Sequence, residues 1–199
     1  FLTNFNSSDD PSDSDSVEFT LAGREVNEVM HLVDTGKLVA LTTGGEIVIN
    51  GNEAGALTPD GINARPQTTY GSSVVRPIQV GGRIIFLQAR SSIVRDIVFN
   101  VQEDGYRGSD LTIPSKHLFR GKEITDMAYQ QNPDSIIWCV RDDGVLLGFT
   151  YVPAQEVFAW HQHNTDGTFE DICVVTEGSE DKLYAIVKHL REQPDSRRA

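Results

Sequence analysis

Four times along this chain, a short and strongly apolar run follows a tight turn. The runs begin near Lys37 (KLVALTT), Arg83 (RIIFLQA), Ser135 (SIIWCV) and Lys182 (KLYAIV), at spacings of 46, 52 and 47 residues. Their β-branched and aromatic content marks them as strands, and long helical periodicity is nearly absent from Val29 onward. Each run is the second strand of a meander: strand, turn, apolar strand, and in the first three repeats a further turn and strand. The spacing is close to that of one four-stranded propeller blade, about 40 to 45 residues in the WD repeat, which favours a propeller over a sandwich.

The turns before these runs are Asp34-Thr35-Gly36, Val80-Gly81-Gly82, Asn132-Pro133-Asp134 and Glu177-Gly178-Ser179-Glu180. Nearly all of these residues tolerate a tight or left-handed backbone. Thr43-Gly44-Gly45 and Asp142-Asp143-Gly144 continue the meander after the second strand. The third repeat is the clearest, because Val145 to Tyr151 and Val157 to His163 complete four strands around the turn Pro153-Ala154-Gln155-Glu156. The fourth contributes Phe169 to Thr176 and Leu183 to Lys188 and then stops. The expected fold is therefore all-β: antiparallel meander repeats forming a partial β-propeller of about four blades, the last incomplete. An open array exposes strand edges that a closed propeller protects, so the chain reads as an excerpt of a longer protein or as one closed by another chain. Residues 1–16 read as a flexible acidic lead-in, 17–190 as the repeat domain and 191–199 as a polar tail.

Charge narrows the function classes. A formal net charge of −12 opposes sequence-independent adhesion to nucleic acid, which depends on Lys and Arg displacing condensed counterions. Part of the charge lies in Asn6 to Ser16 (NSSDDPSDSDS), which has too little apolar surface to offset the entropy of ordering. Asp13 and Asp15 suggest a calcium loop, but no complete ligand spacing follows them. No apolar run approaches the length of a membrane-spanning helix. Cys139 and Cys173 each sit inside an apolar run and are expected to be reduced and buried, as small hydrophobes.

Searches for catalytic patterns are unproductive. The chain has no Gly-rich phosphate loop, no G-x-S-x-G, no H-E-x-x-H and no paired C-x-x-C. His161 and His163 share a strand face and could reach one ion, yet no third ligand is identifiable. Asp142 with Asp143, and Glu170 with Asp171, offer paired carboxylates of the kind a glycosidase uses. Adjacent strand residues face opposite ways, so turn chemistry and solvated surface are the favoured readings. Trp138 and Trp160, with Phe149, Tyr151 and Phe158, suit packing better than a sugar-stacking platform. No catalytic, metal or cofactor residues are assigned.

The stretch from Thr125 through Arg141, TDMAYQQNPDSIIWCVR, continues through DGVLLGFTY (Asp143 to Tyr151) and is followed by EVFAWHQH (Glu156 to His163). With GALTP (Gly55 to Pro59) and ARPQTTYGS (Ala64 to Ser72) upstream, it resembles the tail nozzle, or tail tubular protein B, family of short-tailed bacteriophages and related phage proteins. The likeness covers roughly residues 17 to 190. It implies a propeller-containing virion protein, made in the host cytoplasm, that assembles as a homo-oligomeric ring below the tail adaptor, with tail fibres as further neighbours. Genomic DNA would pass through the ring without being bound specifically, and no catalytic residues are implied. On this reading Arg65 and Tyr70 in Asn63 to Ser73, and Arg107 and Asp110 in Gln102 to Asp110, are candidate assembly contacts in polar loops. A carbohydrate-active or glycan-binding propeller module is the alternative.

Overall fold

A computed structural model describes residues 15–17, 27–52, 55–59, 61–89 and 92–189. Asp13, nearly all of the acidic lead-in and the polar tail lie outside the described residues. The first sheet contains β1 (Val29–Asp34), β2 (Leu38–Thr42), β3 (Glu46–Asn50) and β4 (Asn63–Thr68). The second contains β5 (Ile78–Val80), β6 (Arg83–Leu87), β7 (Val94–Asn100) and β8 (Gly105–Asp110). The third contains β9 (Ile124–Gln130), β10 (Ile136–Arg141), β11 (Leu146–Val152) and β12 (Val157–His163), and the fourth only β13 (Gly167–Glu177) and β14 (Glu180–His189). Neighbours in sequence are neighbours in each sheet, and every pairing with a resolved register is antiparallel. The fold is nearly all β, in antiparallel meanders whose sheets do not close on themselves.

The apolar runs are the second strands, as their spacing predicts. Val39 to Leu41, Ile84 to Leu87 and Ile137 to Val140 are buried without a break. A strand covered on both faces has no polar side with which to alternate, so its sequence reads as continuously apolar. Each large side chain so buried contributes about 1.5 to 3 kcal/mol. In the turns ahead of β2 and β6, Gly36 and Gly81 adopt φ of 85° and 59°, a left-handed backbone that side chains disfavour.

The chain divides into two compact units, one holding the first sheet and most of the second, the other holding the third and fourth. In the first unit Val33, Val39, Leu41 and Val48 pack with Ile84, Phe86, Ile97 and Tyr106. Glu46 is fully buried in this unit; its Oε2 accepts the Thr68 hydroxyl and its Oε1 has no partner. Burial raises its carboxyl above the usual range, against the pull of that hydroxyl. In the second unit one face of the third sheet meets the β13–β14 hairpin, joining Trp138, Val140 and Leu146 to Ile172, Phe169, Val174 and Leu183. On the opposite face Phe149 stacks on Trp160 at 4.3 Å, and Trp160 meets Phe119 edge-on at 4.8 Å.

Two expectations are corrected. The segments presented as polar loops carry strands: Asn63–Thr68 is β4 and Gly105–Asp110 is β8. Outermost strands have one edge and much of their surface in water, so their sequences stay polar, and Pro66 is tolerated because an edge strand need not donate every N–H. The second correction concerns Cys173, which is exposed, whereas Cys139 is buried. Cys173 lies opposite Tyr184, on the hairpin face turned away from the packed side chains of Ile172, Val174 and Leu183.

Candidate assembly surface

Arg65 and Arg107 are exposed on β4 and β8, the outermost strands of the first and second sheets. Arg65 lies opposite Val48 in the ladder, and the Arg107 guanidinium bonds the Glu103 carboxylate at 2.5 Å. A glutamine joins the two strands: Gln67 of β4 accepts the Tyr106 N–H of β8 at 3.0 Å. This bridge was not legible in sequence, since it connects side chain to backbone across 39 positions.

The other two candidates have internal duties. Tyr70 is partly buried against the first unit's core, and the Arg95 guanidinium lies 3.7 Å over its ring. That guanidinium also donates to Gln88 at 2.7 Å. Asp110 accepts the backbone N–H and the hydroxyl of Thr112, at 2.8 and 2.5 Å, and so shapes the exit from β8. Of the four candidates, Arg65 and Arg107 present charge to solvent, and Tyr70 and Asp110 hold local structure.

The pairs that suggested chemistry are engaged in the fold. Arg141 grips Asp143 with two hydrogen bonds of 2.8 and 2.6 Å while Lys122 stands at 3.0 Å, which holds the Asp143 carboxyl well below the ordinary range. Glu170 faces Lys188 at 3.6 Å. His161 and His163 share a hydrogen bond of 2.8 Å and lie against Trp138, with ring centroids at 5.8 and 5.2 Å. Desolvation, then the nearby His163, lowers the tendency of His161 to protonate. Among the described residues no group of three or more His, Cys, Asp or Glu is placed to hold a metal ion. Both indoles spend their donors internally, Trp138 on Gln130 at 2.9 Å and Trp160 on the Leu111 carbonyl at 2.8 Å. A sugar platform needs open aromatic faces; here Phe149 and Tyr151 are buried, while Phe158 is exposed.

An open depression of about 500 Å³ lies at one end of the first sheet, lined by Asp34, Lys37, Asn50, Asn52 and Leu57 among others. No described helix is long and apolar enough to cross a membrane. A scan against protein-family models finds no match to this chain, and a search of curated proteins finds none either.

Proposed function

We propose that this chain is a structural, non-enzymatic part of a phage tail, a nozzle-type ring subunit around the DNA exit channel. The observation that carries the reading is the third sheet. The longest stretch resembling the nozzle family, Thr125 to Tyr151 with Glu156 to His163, folds as one complete four-stranded meander, β9 to β12. Such a motif is spent on strand faces and turns rather than on a pocket, which suits a protein that acts through extended contacts. The exposed guanidinium groups of Arg65 and Arg107 on adjoining outer strands are the assembly contacts in this reading.

Electron microscopy of the intact protein tests it, with ring-shaped particles as the expected result. Reversing both charges, Arg65→Glu with Arg107→Glu, should cut the yield of rings while the circular dichroism spectrum keeps its strand signature. Rings that persist undiminished remove these residues from the contact. Cleavage of host polysaccharide by the purified protein would overturn the structural reading in favour of a carbohydrate-active module.

A further inference from the structure

The β13–β14 hairpin is fastened to the third sheet by carboxylates at both of its ends. At the tip, Asp181 accepts the backbone N–H groups of Gln131 and Asn132, at 2.8 and 3.0 Å, and the Thr176 hydroxyl at 2.7 Å. Nearer the base, the Ile172 N–H is shared by Asp171 Oδ1 at 2.9 Å and Asp126 Oδ2 at 3.2 Å. Asp126 lies on β9 opposite Val140, on the face that the hairpin covers. One N–H therefore serves two carboxyl groups at the point where two sheets meet.

We propose that Asp126 and Asp171 form a proton-operated latch, in which one proton shared between the two carboxyls holds the hairpin base on the third sheet and its loss loosens that end. With the proton present, one carboxyl donates to the other. With both ionised, two like charges meet at the shared Ile172 N–H in a partly desolvated site. The one further donor there among the described residues is the Met127 N–H, held at 2.8 Å by Asp126 Oδ1 alone, so the repulsion is only partly offset.

Cations on the surrounding strands are committed elsewhere. Arg141 of β10 is held by Asp143, Lys182 of β14 by Glu177, and Lys188 of β14 by Glu170. The other ionisable groups on these strands are Tyr129 on β9, Cys139 on β10, Glu170, Cys173 and Glu177 on β13, and Glu180, Asp181, Tyr184 and His189 on β14, while His161 and His163 of β12 lie on the same face of the third sheet, against Trp138. Opposite Asp171 stands Ile186, which supplies no charge. Loss of water raises the Asp126 carboxyl above its ordinary range, and the hydrogen bond with Asp171 adds to the rise.

The two fastenings thus respond to pH in opposite senses. Asp181 works ionised: its carboxyl is lowered, chiefly by the Thr176 hydroxyl, so the tip is secure at neutral pH and weakens only in acid. Asp126 is raised, so the base is secure in acid and weakens as pH rises through its folded value. Rising pH moves mobility from the tip of the hairpin to its base.

Nuclear magnetic resonance on the whole chain, from about pH 3 to pH 8, tests this. The Asp126 carboxyl carbon and the Ile172 amide should titrate together, at a midpoint above the ordinary Asp value of about 3.9. Protection of the Ile172 amide, corrected for intrinsic exchange, should fall through that midpoint while the Gln131 and Asn132 amides keep theirs. Asp171→Asn, whose amide can donate to an ionised Asp126, should bring the Asp126 midpoint down and remove the Ile172 step. Should that variant fail to fold, Asp126→Asn should remove the step as well. An Asp126 midpoint unchanged by Asp171→Asn, an Ile172 step that survives Asp126→Asn, or tip and base amides losing protection together would overturn the latch.

Discussion

Gly148 sits in the middle of β11, where Trp138 lies opposite it on one side and His161 on the other. A Cβ there would stand 2.1 Å from the His161 ring, so the glycine exists to let that imidazole lie across the strand and reach Trp138 and His163. Gly148→Ala should cost about 1 to 3 kcal/mol by overpacking, read from the urea midpoint of unfolding. In a His161→Ala background the same change should cost far less, because the clashing atoms are gone, and a cycle of the four proteins measures the coupling. Equal costs in both backgrounds would assign the penalty to the backbone instead. The face shared by His161 and His163 follows from their spacing of two along a strand, but their contact with Trp138 depends on cross-strand register. Register is set by turns and bulges, such as the shift between Val140 and Arg141, which no local pattern announces. Cys173 was misread for a related reason: an apolar run indicates a strand, while how many of its faces are covered depends on what packs against them.

The second strands make that point at the scale of an element. β2, β6 and β10 are buried through their apolar centres, whereas β14 has the same apolar character in Leu183 to Val187 but alternates between half-buried and exposed positions except at Ala185. Ile137 is fully buried, and Ile186 is 60% exposed. Ile137→Ala should therefore cost about 2 to 5 kcal/mol, the range for a buried aliphatic chain that leaves a cavity, and Ile186→Ala no more than about 0.5 kcal/mol. Chemical denaturation of the two variants checks both, and similar losses would mean that the outer face of β14 is covered in solution. The strands with apolar runs were legible because burial on both faces leaves a continuous hydrophobic record. The outer strands β4 and β8 were not, because a half-solvated edge strand containing Pro66 or Gly105 and Gly108 has the composition of a loop. The assembly candidates Arg65 and Arg107 were accordingly assigned to loops where strands stand, and Gln67, which ties those strands together, carried no signal of its own.

For the molecule as a whole, the net charge of −12 determines how it meets a polyanion. The cations that face partners reduce its attraction further, since Arg83 is held by Asp96, Arg107 by Glu103, Lys122 and Arg141 by Asp143, and Lys182 and Lys188 by glutamates. Binding to duplex DNA without sequence preference rests on free Lys and Arg replacing condensed counterions, with a strong dependence on salt. A channel that gripped the phosphates would slow the passage of DNA, whereas like charge leaves the duplex hydrated and mobile. The expected result is an absence of saturable binding to a labelled duplex in fluorescence anisotropy at about 50 mM salt, up to roughly 100 μM protein, a concentration at which a dedicated non-specific binder is occupied. The charge-reversed Arg65→Glu, Arg107→Glu protein should give the same flat trace, because in this reading those residues contact neighbouring subunits and not nucleic acid. Saturable binding that weakens steeply with added salt, and that the double reversal abolishes, would identify the outer edge of β4 and β8 as a nucleic-acid surface and remove the conduit reading altogether.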